Sequence, residues 1–163
     1  MQFEKSIEVD VDAERLWEVV AHDFDRVGEW SSAVNASAAN PEAIAPEGAT
    51  VGGRVCDTTF GDIQETFVDY DESAKRFVFR ATGLPSYITL AQNTVEVVPV
   101  AAGRSSVSLS IRMETNVVGK VMGPMFAIKL KNTLDTFLVE LKDFVERGEL
   151  SNRKHKQLAK AGR

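Results

Sequence analysis

Cysteine and histidine are nearly absent from the chain. Cys56 is the only cysteine among 163 residues, which excludes an intrachain disulfide and a thiolate metal site. The only two histidines, His22 and His155, are too few for a histidine-rich metal centre, and a Ser/His/Asp triad would depend on His22. We therefore expect Cys56 to be a small buried apolar side chain and the protein to hold no metal.

Long apolar runs and nucleotide-binding glycine motifs are also missing. No run reaches the ~18 apolar residues needed to span a bilayer, and the first ten residues, MQFEKSIEVD, lack the pattern of a signal peptide. Gly52-Gly53 lacks the flanking Lys and Ser/Thr of a phosphate-binding loop. We expect a cytoplasmic protein with no stable membrane insertion and no cofactor.

Negative charge dominates all but the end of the chain. Residues 1–148 contain 14 Lys and Arg against 23 Asp and Glu, whereas residues 149–163 contain five Lys and Arg against Glu149. The acidic body would repel a phosphate backbone, which disfavours nucleic-acid binding. With 44% hydrophobic residues, we expect residues 1–148 to form one globular domain with a single core and residues 149–163 to be a basic, flexible tail that folding does not require.

The longest apolar-periodic stretch lies near the end of the body. In residues 119–147, large apolar side chains recur at three- and four-residue steps with charged residues between them, which predicts an amphipathic helix. Because proline fits best at a helix start, we expect a short turn from Val117, the main helix from Pro124, and Gly148 as the C-cap. A helix of this length needs a broad apolar surface, which a curved antiparallel sheet would supply.

The preceding chain has the pattern of such a sheet. Phe3, Ile7, Val9 and Val11 alternate as in a strand, and Asp12 is placed to cap a short helix. Further strands are predicted, in chain order, near 34–38, 54–60, 62–70, 76–82, 87–98 and 104–115. This order predicts an α+β domain in which a curved antiparallel sheet wraps a long C-terminal helix.

Three segments carry a resemblance to a known family. They are IEVDVDAERLWEVVAHDFDRVGEW, GGRVCDTTFGDIQETFVDYDESAKRFVFRAT and VVGKVMGPMFAIKLKNTLDTFLVELKDFVE. In order and spacing, residues 3–147 resemble the START/birch-pollen-allergen-like (SRPBCC) superfamily, in its polyketide cyclase/dehydrase and lipid transport branch. The resemblance implies a helix-grip fold with a largely apolar cavity between sheet and helix that holds lipids, polyketides or other hydrophobic molecules.

The residues that would line this cavity depend on which face of each strand is buried. If Glu96 faces solvent, then Tyr87, Thr89, Ala91, Asn93, Val95 and Val97 face inward. We expect the ligand to contact ten residues: Trp30, Glu65, Phe67, Phe77, Phe79, Tyr87, Asn93, Met122, Met125 and Phe126. Trp30 would stand at the mouth opposite the two methionines and Phe126. Alternatively, the core is fully packed and has no usable cavity. If there is a cavity, Glu65 is either a carboxylate inside it or a residue on its rim.

Three classes of function follow from this reading. The first is a carrier of a small hydrophobic ligand, for which we expect a dry cavity. The second is a polyketide cyclase or aromatase-like enzyme, which needs at least two polar groups converging in the cavity; Glu65, Asp57 and Tyr87 are the candidate acid/base groups. The third is a protein-interaction module, which would expose an apolar stripe. A homodimer is compatible with each class.

Overall fold

A computed structural model of the protein describes residues 1–162, and seven strands form its centre. In chain order they are β1 Gln2–Val9, β2 Val34–Ala39, β3 Gly53–Thr58, β4 Gly61–Asp71, β5 Arg76–Thr82, β6 Ile88–Ala101 and β7 Arg104–Thr115. They form one antiparallel sheet in the order β1-β7-β6-β5-β4-β3-β2. The sequence predicted each strand, with bounds shifted by at most a few residues.

A short helical segment connects β1 to β2. Helix α1 spans Ala13–Trp17, and the Oδ1 of Asp12 accepts a hydrogen bond of 2.8 Å from the backbone N–H of Arg15, as the capping pattern predicted. A π-helical turn at Glu18–His22 and a 3₁₀ turn at Phe24–Glu29 follow. Trp17, Phe24 and Trp30 from this segment are buried against the sheet and its long helix.

The long helix α2 spans Val117–Arg147 and crosses the concave face of the sheet. Gly148 ends it in the left-handed conformation, with φ 66°, as predicted. The predicted start at Pro124 is wrong, because the helix begins a full two turns earlier. The side chain of Asn116 caps it by accepting a hydrogen bond of 3.1 Å from Gly119 N–H. Pro124 lies on an exposed part of the helix, where water can satisfy the carbonyl that its missing N–H leaves unpaired.

Two clusters of buried side chains lie between α2 and the sheet. The larger one lies under the C-terminal half of α2, where Leu138, Leu141 and Val145 pack against aromatic residues that include Trp17 and Phe77. The smaller one combines Ala91, Ile111 and Met113 of the sheet with partly buried residues of the first half of α2, Phe126, Leu130 and Leu134. The sheet and helix thus pack tightly at one end and less tightly at the other.

The C-terminal residues differ from the expected flexible tail. Asn152–Lys160 form a third helix, α3, capped by the side chain of Ser151. Lys154 is completely buried, and the Nε2 of Gln157 donates a hydrogen bond of 2.8 Å to the backbone oxygen of Ser32. The segment lacks an apolar stripe, but polar contacts attach it to the body.

Candidate ligand-binding cavity

A cavity of about 190 Å³ lies between the concave face of the sheet and α2. Most of its lining is apolar and comes from both buried clusters, with the α1–β2 segment forming one wall through Val19, Val20, Phe24, Val27 and Trp30. An apolar, water-poor space of this kind favours an apolar occupant.

Arg54 and Glu65 form an ion pair in the cavity wall. Their side chains retain only 10% and 16% of their exposure, and the Nε of Arg54 donates a hydrogen bond to the Oε2 of Glu65. The pair is adjacent because Arg54 of β3 and Glu65 of β4 are direct cross-strand partners. The Nη1 of Arg54 also donates a hydrogen bond of 2.8 Å to the backbone oxygen of Phe24. The guanidinium group lies 3.9 Å from the centre of the Phe24 ring.

Asn93 adds a neutral polar group to the same concave face. It lies on β6 between Phe79 of β5 and Ile111 of β7, and it lines the cavity. Its side-chain amide has no hydrogen-bond partner among residues 1–162. An amide without a partner at the wall of an apolar space is a ready donor and acceptor for a bound molecule.

Cys56 contributes a thiol to the lining. Burial raises its pKa to about 11, and the positive charge of Arg54 offsets only part of that effect. The thiol is therefore neutral at physiological pH and a poor nucleophile. It behaves as the small apolar side chain that the sequence predicted.

Six of the ten predicted contact residues line the cavity. These are Trp30, Glu65, Phe77, Phe79, Asn93 and Phe126. Trp30, however, packs on Phe137 and Phe144, with ring centres 4.9 and 6.0 Å away, and so lies near the second half of α2 rather than opposite Met122 and Met125.

The other four predicted contacts lie outside the lining. Phe67 packs behind it against Phe24, with ring centres 4.5 Å apart. Met122 and Met125 are 42% and 67% exposed, because the face of α2 that carries them turns away from the sheet. Tyr87 precedes an irregularity between Ile88 and Leu90 in the pairing with β7, and this shift reverses the predicted alternation at the start of β6.

The same alternation separates the three candidate acid/base groups. Cys56 faces the cavity, so its neighbour Asp57 is exposed on the opposite side of the sheet, where the Nδ2 of Asn35 donates to it over 3.2 Å. Tyr87 is half-buried, with its ring centre 6.5 Å from that of Phe126. Of the three, only Glu65 lines the cavity, and its partner Arg54 was missed by the sequence analysis.

A second carboxylate fixes the cavity wall from behind. The Oε2 of Glu72 accepts hydrogen bonds from Trp17 Nε1 at 2.9 Å and from Tyr70 Oη at 2.7 Å, and the Nε2 of His22 lies 2.9 Å from its Oε1. Burial raises the pKa of Glu72, but these hydrogen bonds outweigh it and the pKa is lowered. His22, the histidine on which a Ser/His/Asp triad would depend, thus has this carboxylate as its partner.

Metal binding has no support within residues 1–162. No three His, Cys, Asp or Glu side chains lie close enough together there to hold an ion. No helix in that range is long and apolar enough to cross a membrane.

The sheet wrapped around α2 and the cavity between them define a START-like helix-grip protein. A sequence profile described as "Polyketide cyclase / dehydrase and lipid transport" matches residues 1–146, and the chain belongs to that family. No relative was found among curated proteins.

Solved structures share the fold at low sequence identity. A START superfamily protein from Mycobacterium smegmatis superposes with a TM-score of 0.72 at 16% identity, covering 91% of this chain and 99% of its own. The Zhui aromatase/cyclase from Streptomyces sp. R1128 superposes with a TM-score of 0.70 at 13% identity, covering 93% of this chain and 99% of its own. The di-domain ARO/CYC BexL of the BE-7585A biosynthetic pathway superposes with a TM-score of 0.67 at 18% identity, covering 87% of this chain and 45% of BexL.

Proposed function

We propose that the protein binds a small hydrophobic ligand in the cavity and orients it with Arg54, Glu65 and Asn93. The observation that carries the proposal is an apolar cavity whose wall includes a buried ion pair and an amide without a protein partner. An apolar body would displace water from the cavity, while one oxygen of the ligand could pair with the Asn93 amide or a free N–H of Arg54. Such a division between apolar lining and a few polar groups is typical of small-molecule sites.

The size of the cavity restricts the ligand. Its volume of about 190 Å³ is close to the ~150 Å³ of an apolar protein cavity that takes up benzene, and smaller than the ~300 to 1,000 Å³ of drug-sized sites. We therefore propose an aromatic or short polyketide with one or two rings, or a short acyl chain. A long-chain lipid would require α2 to move away from the sheet.

Probe displacement tests this proposal. The two-ring fluorescent probe 6-propionyl-2-(dimethylamino)naphthalene should bind the folded protein saturably, and naphthols should displace it better than long-chain fatty acids. Ala91→Phe, which fills the cavity from β6, should weaken probe binding about tenfold or more because the phenyl ring occupies the site. Val98→Phe, at a 42% exposed position of the same strand, is the matched control and should bind as the wild type does.

Two results would refute the binding proposal. One is the absence of saturable probe binding by the folded wild-type protein; the other is an equal affinity in Ala91→Phe and Val98→Phe when both melt cooperatively. Native mass spectrometry of the protein purified from its own host would then identify the natural ligand by its mass.

A cyclase or aromatase-like activity is the second candidate, and the Arg54–Glu65 pair with nearby Asn93 favours it. Ring closure of a poly-β-keto chain needs a base to remove a proton from carbon and a donor to stabilise the resulting enolate oxygen. Glu65 could take the proton and Arg54 could stabilise the oxygen. Two solved structures with the same fold carry the description aromatase/cyclase or ARO/CYC.

Turnover separates this enzyme from a carrier. With a synthetic poly-β-keto thioester, the cyclase hypothesis predicts ring closure above the spontaneous rate, lost in Glu65→Gln while probe binding is retained. If the wild-type protein binds the thioester without accelerating ring closure, the cyclase hypothesis is refuted and the carrier function remains.

A further inference from the structure

The first half of α2 exposes an apolar surface on the side away from the sheet. Val117, Val121, Met125 and Ile128 are 78%, 80%, 67% and 64% exposed, and Val118 and Met122 extend the same surface. We call these six residues the outer stripe. Their spacing of three and four residues places them on one side of the helix over about three turns. It is unusual for a domain with a buried core to expose a run of large aliphatic side chains to water. Such a run indicates a binding surface.

Positive charge accompanies the outer stripe. Between Val117 and Leu134 the sequence contains Lys120, Lys129 and Lys131 and no Asp or Glu, although the chain as a whole carries a net charge of −5. All three lysines are exposed. By helical spacing, Lys120 and Lys131 border the stripe on one side. Lys129 lies two turns after Met122 on the other side, where its Nζ also donates to the backbone oxygen of Thr59 over 3.4 Å. Lysines that flank an apolar face can extend toward phosphates while the face itself is buried.

The opposite face of the same helical segment lines the cavity. Phe126 and Leu130 point into it, one residue away from Met125 and two residues away from Ile128 of the outer stripe. The first half of α2 therefore has the cavity on one face and solvent on the other. A hydrophobic molecule that left the cavity beside this segment would emerge next to the outer stripe.

We propose that the outer stripe docks the protein on an anionic lipid surface. The first half of α2 would lie in the plane of the headgroups, with its aliphatic side chains among the acyl chains and its lysines on lipid phosphates. This is attachment without crossing, since no helix within residues 1–162 meets the requirements for a span. The proposal is independent of which ligand occupies the cavity.

Composition favours lipid over a protein partner. The outer stripe consists of valine, methionine and isoleucine, whereas the central residues of protein interfaces are enriched in tryptophan, tyrosine and arginine. A second copy of the chain joined through this patch by twofold symmetry would bring the same three lysines against each other. An anionic membrane instead compensates every one of these charges.

Vesicle flotation of the full-length protein tests the proposal. We expect binding to phosphatidylcholine vesicles that contain phosphatidylglycerol, weak binding to phosphatidylcholine alone, and release at high salt because the lysine contribution is screened. Val121→Glu/Met125→Glu should lower partitioning about tenfold or more, and Lys120→Gln by about fivefold. Val68→Glu is the matched control: its site is a 50% exposed valine on β4, away from α2, and its partitioning should equal the wild type's.

Three results would overturn the proposal. The first is no binding to the anionic vesicles at low salt. The second is equal partitioning of the stripe variant and Val68→Glu. The third is a stable dimer that the stripe variant dissociates while vesicles bind neither protein. Each variant should keep its thermal midpoint and its affinity for the two-ring naphthalene probe, which separates loss of docking from loss of the cavity. If the double variant unfolds, Val121→Ser replaces it with the same expected direction.

Discussion

The Nζ of Lys154 donates a hydrogen bond of 2.7 Å to the backbone oxygen of Val34. This lysine is completely buried, and the bond joins α3 to the first residue of the edge strand β2. Ser151 supports this contact. Its hydroxyl donates a hydrogen bond of 2.5 Å to the buried side chain of Glu140 on α2, and it accepts a hydrogen bond from the backbone N–H of Lys154. Glu140 also accepts a hydrogen bond of 2.8 Å from the backbone N–H of Ser32. One polar network therefore connects α2, α3 and the segment before β2.

Removal of α3 should therefore destabilise the domain. Truncation after Gly148 leaves Glu140, Val34 O and Ser32 O without these partners, and each buried polar group left unpaired costs about 1 to 3 kcal/mol. Lys154→Ala should lower the free energy of unfolding in urea by a similar ~1 to 3 kcal/mol. Lys156→Ala, at an exposed position of the same helix, should not change it. Equal unfolding curves for the truncated and full-length proteins would restore the expectation of a dispensable tail.

The missed docking of α3 shows which signals a sequence carries. Strand alternation and the helical period of α2 are local patterns, so the seven strands, the long helix and its Gly148 cap could be predicted. Helix α3 attaches to the body through polar contacts of Ser151, Lys154 and Gln157. Hydrophobic periodicity cannot predict such contacts, because they join segments that are distant in the sequence.

Parts of the cavity were unpredictable for a related reason. The alternation placed Phe77, Phe79 and Asn93 on the inward face, and all three line the cavity. For Glu65 it left the cavity and its rim open, and the structure has Glu65 in the lining. The alternation failed at Tyr87 because a pairing irregularity reverses the faces of a strand, and no local signal marked it. The rotation of α2 about its axis, which turns Met122 and Met125 outward, is set by packing against the sheet and not by the helical period alone.

Replacement of Arg54 should show how the ion pair contributes to stability. Arg54→Met leaves the partly buried carboxylate of Glu65 without its partner. Such a change typically costs ~3 to 5 kcal/mol at fully buried pairs, and it should cost less here. Arg54→Met/Glu65→Leu removes both charges and should recover most of the loss. Urea unfolding of the two single variants and the double variant measures this coupling, and strictly additive effects would mean that the pair does not act as a unit.

Acidification should weaken the attachment of the cavity wall at Glu72. Its pKa is lowered in the folded protein below the reference value of 4.5, so its contribution to stability is complete above that pH and is lost as pH falls through the folded pKa. Glu72→Gln should therefore flatten the decline of stability below about pH 5. Thermal midpoints measured between pH 7 and 3 check this, and parallel curves for variant and wild type would contradict it. Glu42→Gln, at an exposed site, is the control.

Two leucines of α2 line the cavity but should respond differently to truncation, because one is completely buried and the other only partly buried. Leu141 is completely buried, so Leu141→Ala should cost the ~2 to 5 kcal/mol typical of core leucines. Leu134 is only partly buried and borders the existing space, so it loses fewer contacts and Leu134→Ala should cost less than ~2 kcal/mol. The enlarged cavity of Leu134→Ala should admit a three-ring aromatic that the wild type excludes. Urea unfolding with and without this ligand measures both effects, since a ligand that binds only the folded protein raises its stability. A larger loss in Leu134→Ala than in Leu141→Ala, or no stabilisation by the larger aromatic, would place the adaptable part of the cavity elsewhere along the helix.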